Sequence, residues 1–558
     1  MIMNNNLKSI ALAMTIGLLF AQCTPAPTAQ ANYEVIPMPQ SITLSNSDNQ
    51  FVLHSGTLIS YTSGNEDMAR NAQFLQTYLT DQLGYTLRIE PGIASEGIVL
   101  KLNEGQASEG YTITVDADRV LVEATSPAGI FYGIQTIRKA VPVEMGAVVG
   151  FPAGVITDAP RFAYRGAHLD VCRHFFSVDS VKTYIDMLVL HNMNKFHWHL
   201  TEDQGWRMEI KQFPKLTEIG SVRNGTMIRK DWNSNDSIQY GGFYTQDECR
   251  EIVKYAADRY ITVIPEIDMP GHMVAAVTAY PELGCTGGPY EVRTIWGVSE
   301  ELLCAGNEKV YDFVDKVLDE VMDVFPSKDI HIGGDECPKA EWEKCPKCQS
   351  KIKALGLKKD DRFTAEQKLQ AYFTKHVDEY LTKHGRNAIG WDEILEGGVS
   401  ENATVMSWRG ESGGIEAARL KHRVIMTPNT YCYFDYYQSK DCDNEPFAIG
   451  GFLPIKHVYG YEPLPAQLTP EEQSYIWGVQ CNVWTEYIPT FSHVQYMMLP
   501  RGAALSEVQW SLPEAKDYEK FKNERLPRLI KIYELYGYNY SRRIYVDADE
   551  PSDLNVGW

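Results

Sequence analysis

Beyond Pro160-Arg161 the chain repeats one rhythm: a short apolar run of β type, then, in most cases, a segment of helical spacing. Eight such runs occur: Tyr164 to Val171, Lys195 to Thr201, Thr262 to Ile267, Asp329 to Gly333, Ala388 to Trp391, Thr404 to Trp408, Val424 to Thr427 and Trp477 to Trp484. Strands joined by helical crossovers lie parallel, and eight β/α alternations predict a closed (β/α)8 barrel. The helical spacing is plainest where Val310, Phe313, Val314, Val317, Leu318, Val321 and Met322 recur on one face, and again from Thr364 to His384.

Each run is apolar and then ends in polar chemistry. The ends carry Arg173, Glu202-Asp203, Glu266-x-Asp268, Asp335-Glu336, Trp391-Asp392-Glu393, Trp408-Arg409, Tyr433-x-Asp435 and Trp484-x-Glu486. In a barrel these ends converge on one face. The sequence therefore predicts one pocket of carboxylates, an arginine and several indoles, which suits a sugar: indole faces pack on the C–H side of a pyranose, while carboxylates and fork donors hold its hydroxyls.

Ahead of the barrel the pattern is mixed. Helices are expected at Glu66 to Leu83 and Pro127 to Ala140, with strands at Gly97 to Leu102, Tyr111 to Val115 and Arg119 to Glu123. This reads as a small α+β unit. The expected domains are 32–157 for that unit, 158–540 for the barrel and 541–558 for a tail. Residues 1–31 read as an export signal, with Lys8 ahead of an apolar run from Ile10 to Ala21 that is too short to span a membrane. Cleavage has two candidate sites. Ala29-Gln30-Ala31 has the small-x-small form, and Leu19-Phe20-Ala21-Gln22-Cys23 resembles a lipoprotein box that would put a lipid on Cys23. The expected location is the periplasm or, through that lipid, the outer membrane. A net charge of −21 argues against nucleic acid or an anionic membrane surface as partner.

The remaining cysteines are scattered. Cys345-Pro346-Lys347-Cys348 looks like half a zinc site, but no second Cys/His pair follows at ribbon or finger spacing. A local disulfide, reduced thiols or a minor structural clasp is the preferred reading, with no metal or cofactor expected, and Cys285 and Cys304 are a candidate disulfide in an oxidising compartment.

The stretch Ile330-His331-Ile332-Gly333-Gly334-Asp335-Glu336 is a strand that breaks at two glycines and presents two adjacent carboxylates. With it stand Arg165-Gly166, Asp170 to Phe176, His197 to Trp206, Pro265 to His272, Gly390 to Glu393, Ser407 to Arg409, Tyr433 to Asp435 and Val483 to Glu486. In this order they resemble the β-N-acetylhexosaminidases of glycoside hydrolase family 20. The resemblance implies an exo-acting enzyme that removes terminal non-reducing β-linked GlcNAc or GalNAc from glycans with retention.

Ordinary glycosidases place two carboxylates across the scissile bond. Neighbours at a strand end point in different directions, so Asp335 and Glu336 do not suit that arrangement. Either a distant carboxylate is the nucleophile or the substrate supplies its own. The resemblance implies the second: the 2-acetamido oxygen attacks C1, Glu336 is the general acid and then base, Asp335 orients the acetamide and balances the oxazolinium, and Tyr433 donates to the acetamide oxygen. It further assigns Arg173, Asp435 and Glu486 to hydroxyls, Trp391, Trp408 and Trp484 to walls, and His272 to the acid network. One position departs from the family pattern, which commonly has two aspartates after the His-x-His-Leu segment. Here Glu202 precedes Asp203, and Glu202 is carried over only as a supporting residue.

Two other readings are open to the residues. His197 and His199 share a strand face, as in metal-dependent barrel hydrolases, and Asp268 or Asp392 would complete such a site; the resemblance favours histidines hydrogen-bonded within the rim. A barrel of this origin can also persist as an amino-sugar-binding protein without catalysis, against which stand the intact Asp335, Glu336 and Tyr433. Asp392-Glu393 is taken as solvated or as support for the pocket.

Overall fold

Eight parallel strands close into a barrel in the computed structural model, which describes residues 25–545 apart from 47 and 107. Residues 1–24 of the proposed signal, with Cys23, and most of the expected tail lie outside the described residues. The barrel strands are β1 Tyr164–Asp170, β2 Lys195–His199, β3 Thr262–Glu266, β4 Asp329–His331, β5 Asn387–Trp391, β6 Thr404–Ser407, β7 Val424–Met426 and β8 Ile476–Cys481, in cyclic order with β8 pairing β1. Each run anticipated from the sequence is one of these strands. Crossover helices such as Val178–Leu190, Glu308–Val324 and Ala365–Lys383 turn their apolar stripe onto the barrel. Ser177, Asn307 and Thr364 cap their first turns by accepting backbone N–H groups.

Register puts the rim chemistry in layers. His199 pairs with Glu266, and Glu266 with His331, so neighbouring strands bring these three side chains together just below the C-terminal mouth.

The leading unit is a seven-stranded sheet covered by helices Glu66–Leu83 and Pro127–Ala140, with a core of its own. It is fastened to the barrel by buried polar contacts. Arg165 of β1 reaches Glu109 at 2.8 Å and the Tyr132 hydroxyl at 2.9 Å, and the Trp510 indole donates to Asp158 at 3.0 Å. Among the described residues no helix is long and apolar enough to cross a membrane.

The guessed Cys285–Cys304 disulfide is not formed. Neither residue is in a disulfide, and each has come to the Cys345-x-x-Cys348 turn instead.

Candidate active site

The loop after β4 delivers the adjacent acids. Gly333 and Gly334 run at φ 66° and 97°, and a Cβ on Gly333 would drive into Asp268, so only glycine lets the chain turn here. Glu336 itself sits at φ 43° and His272 at φ 51°, in the left-handed region that a side chain rarely enters. Both strained residues face one another: His272 Nε2 lies 3.6 Å from Glu336 Oε2 and 3.7 Å from Asp335 Oδ2. Such strain persists only where the surroundings over-determine the backbone.

Behind His272 runs a chain of charges. Its Nδ1 is 2.9 Å from Glu202 Oε1, which in turn is 2.6 Å from Arg173 Nη2. Arg173 is held by Asp170 at 3.2 Å, lies 3.8 Å from Glu486, and stands over the Trp484 ring at 5.1 Å. Asp170 also accepts from the Thr485 backbone and hydroxyl, each at 3.0 Å, tying the start of the site to its end. The departure at Glu202 thus has a physical use: its longer side chain spans Arg173 and His272. Asp203 turns away and accepts the Val274 N–H at 3.1 Å.

The aromatic residues form a cage. Tyr433 stacks on Trp408 with centroids 6.1 Å apart and an interplanar angle of 14°, and meets Trp484 at 6.4 Å. Trp391 differs from the expected wall. It is fully buried, with its indole donating to Glu266 at 2.9 Å and its ring 5.7 Å from Trp484, so it forms the floor. Asp435 is buried beside these groups, with one oxygen unpartnered. Asp392 and Glu393 are not solvated. Asp392 accepts from the Trp408 and Arg409 backbone at 3.1 and 3.2 Å, and Glu393 from the Trp408 indole at 3.0 Å, so the pair positions the Trp408 wall.

The electrostatics follow from burial and from His272. Burial pushes the Asp335 carboxyl well above the usual range, and neighbouring Asp268 adds to it. Burial also raises Glu393, helped by Asp335, and takes Asp268 to about 7. Glu336 goes the other way. Burial opposes its charge, but the hydrogen bond and charge of His272 outweigh it and hold the carboxyl below its ordinary value. For His272, burial is overcome by Glu202 and the imidazole is raised well above its usual value, so it is a buried cation among carboxylates.

Asp170 and Glu393 are structural members of this site that received no catalytic or binding role from the sequence, and Asp268 received one only in the metal-site reading. Their signal was position at a strand end, which they share with the residues that were singled out.

The histidine pair faces Glu266. His197 Nε2 and His331 Nδ1 each lie 3.0 Å from this carboxylate, and His199 Nδ1 is bonded to it. With the Trp391 indole also donating, the Glu266 oxygens are engaged inside the barrel wall, below the pocket that holds Asp335, Glu336 and Tyr433.

A (β/α)8 barrel whose mouth combines paired acids, an arginine clamp and an indole cage defines a sugar-processing hydrolase. The family model for the catalytic domain of glycosyl hydrolase family 20 matches residues 162–513, and that for domain 2 of the same family matches residues 32–159. The chain belongs to glycosyl hydrolase family 20. It is 42% identical over 525 residues to a β-hexosaminidase of Porphyromonas gingivalis, covering 92% of this chain and 65% of that protein. The β-N-acetylhexosaminidase of Streptomyces coelicolor A3(2) superposes with a TM-score of 0.78 at 31% identity, covering 93% and 99% of the two chains. A mutant Streptomyces plicatus β-hexosaminidase in complex with product GlcNAc superposes with a TM-score of 0.77 at 31% identity, over 93% and 98%.

Proposed function

We propose that this protein is an exo-acting β-N-acetylhexosaminidase that releases terminal β-linked GlcNAc or GalNAc with retention, using the acetamide of its own substrate as nucleophile. The observation that carries the reading is that Asp335 and Glu336 both meet His272 Nε2, at 3.7 and 3.6 Å. Two chain neighbours that gather on one imidazole nitrogen suit an acid and its supporting partner better than an acid and a nucleophile on opposite sides of the glycosidic bond.

In the proposed route the acetamide oxygen attacks C1 as the bond from C1 to the leaving oxygen breaks, and Glu336 passes its proton to that oxygen. The C2 substituent becomes a cyclic oxazolinium, whose positive charge faces Asp335. Tyr433 donates its hydroxyl to the acetamide oxygen and aims it at C1. Water then attacks C1, Glu336 takes a proton from it, and the ring reopens to the acetamide. Substrate binding corrects the resting proton distribution. A sugar over Glu336 removes water and raises its pKa, while the acetamide N–H and developing cation draw Asp335 into its charged form. Trp408 and Trp484 pack on the sugar and its acetamide methyl above the Trp391 floor, with Arg173, Asp435 and Glu486 on its hydroxyls.

A side-by-side assay of nitrophenyl β-GlcNAc, β-GalNAc and β-glucose tests this. Turnover restricted to the acetamido sugars supports the reading, and comparable turnover of the glucoside rejects it.

Export with a lipid on Cys23 is part of the proposal. Its support is that Ala29 pairs with Val149 in a parallel bridge and the Ala31 N–H donates to Gly150 at 2.8 Å, so cleavage after Ala31 would discard a paired strand. Fatty-acid labelling that disappears in Cys23→Ala is the expected result; an unlabelled protein beginning at Asn32 contradicts it.

A further inference from the structure

Four cysteines from two segments, one after β3 and one after β4, meet in one cluster. The Sγ atoms of Cys285, Cys304, Cys345 and Cys348 all lie within 4.8 Å of one another. Cys304 stands 3.6 Å from both Cys345 and Cys348, and Cys285 stands 4.0 Å from Cys348. Sulfurs around a tetrahedral zinc at about 2.3 Å from the metal are about 3.8 Å apart, while a disulfide holds them at about 2 Å. Cys304 is equidistant from two partners, a relation that fits a shared centre and selects no pair. We propose that these four thiolates bind one structural zinc ion.

The surroundings are built for such a centre. Cys345 and Cys348 bracket the first turn of the helix Pro346–Leu355, where Cys345 is the N-cap residue and makes no capping bond with its side chain. The free N–H groups of this turn favour negative sulfur. On the opposite side a Cβ on Gly306 would run into the backbone of Lys347 and Cys348, so the Cys304-Ala305-Gly306 turn can press against the Cys345–Cys348 turn only with glycine there. Cys304, Cys345 and Cys348 are buried, and Cys285 is half-buried at the edge. The indole of buried Trp342 donates to Leu303 at 3.0 Å and closes the cover. Half of this site was visible as Cys-x-x-Cys; the other half comes from upstream, Cys304 lying 41 positions before Cys345.

The ion joins the loop after β3 to the segment that follows Asp335-Glu336. The Leu303 N–H, next to Cys304, donates to Pro270 at 3.1 Å, two residues from His272. The zinc thereby braces the wall that carries His272 against the loop that carries the acids. It takes no part in bond breaking, since the four thiolates leave no open position.

The test is metal analysis of the purified full-length chain, prepared without chelator. About one zinc per chain is expected, released as the thiols are titrated with a mercurial in the folded protein. Cobalt exchanged into the site should show the ligand-field bands of a tetrahedral thiolate centre. Cys285→Ser, at the edge, should fold and hold zinc more weakly, while Cys442→Ser should keep it fully. Zinc-free protein, bound iron, or two disulfides among these four residues by peptide mass mapping would each overturn the proposal.

Discussion

Glu202 holds His272 through a 2.9 Å contact between Oε1 and Nδ1, and this contact is the strongest support for charge on the imidazole that faces Asp335 and Glu336. Without Glu202 the imidazole loses the largest of the influences that raise it and keeps only Glu336 and Asp335 to oppose burial. Glu336 would then have a weaker cation beside it to keep its carboxyl low.

Glu202→Gln should therefore move the basic limb of the kcat/KM pH profile upward, because that limb reports the acid in the free enzyme. Glu202→Asp keeps the charge and should restore part of the shift. A structural role alone would lower activity at every pH without moving the limb. Stability should respond in a defined window. The Glu202 carboxyl is held well below its ordinary value, so its contribution is present above the unfolded pKa of about 4.3 and is lost as pH falls through its folded value. The raised His272 contributes fully below its unfolded pKa of about 6.5 and loses that contribution as pH rises through its folded value. Denaturation midpoints of wild type and Glu202→Gln should thus differ most from about pH 4.3 to 6.5, converge as pH falls through the folded value of Glu202, and draw only partly together as pH rises through that of His272.

Glu336→Gln should lower turnover of unactivated glycosides by about two to four decades, the range for loss of general acid–base catalysis. With a good leaving group the glycosylation step needs no proton, so the loss there should be smaller. Steady-state kinetics on both substrate types decide it, and equal losses would remove Glu336 as the acid.

Arg173→Ala should raise KM and also lower kcat, because contacts to remote hydroxyls orient the ring. It also leaves Glu202 buried without its 2.6 Å partner, and removing one member of a buried pair costs about 3–5 kcal/mol. Kinetics and denaturation are to be measured together; wild-type values in both would take Arg173 out of the pocket.

Much of this architecture is legible in the chain because a barrel strand has a simple signature. The runs from Tyr164 to Trp484 are apolar, short and followed by polar residues, and the fold brings their ends to one place. What the sequence conceals is contact between distant loops. Nothing in the spacing of Cys285 and Cys304 points to Cys345 and Cys348, because their meeting depends on how two rim loops pack. The difference between a wall and a floor is hidden for the same reason: Trp391 and Trp408 both follow an apolar run, but the Trp391 indole turns inward to Glu266 while that of Trp408 reaches Glu393. The Asp392-Glu393 pair reads like Asp335-Glu336 in one dimension, yet its acids face the Trp408 segment.

Tyr433→Phe should reduce kcat by about two to three decades, as for loss of one donor to a developing charge. Asp335→Asn should also be severely impaired, since an amide cannot balance the oxazolinium. The two variants differ in pH response. Tyr433→Phe keeps the wild-type profile, whereas Asp335→Asn removes a titrating neighbour of Glu336 and changes the limbs; identical profiles would argue against the assigned roles.

The central claim is that the nucleophile belongs to the substrate, and it is tested most directly by weakening that nucleophile. Nitrophenyl β-glucosaminides with acetyl, monofluoroacetyl, difluoroacetyl and trifluoroacetyl groups on nitrogen differ chiefly in the electron density of the amide oxygen. If that oxygen attacks C1, kcat/KM should fall steeply and monotonically along the series. A flat series, with a sugar ester trapped on an aspartate or glutamate, would contradict the account.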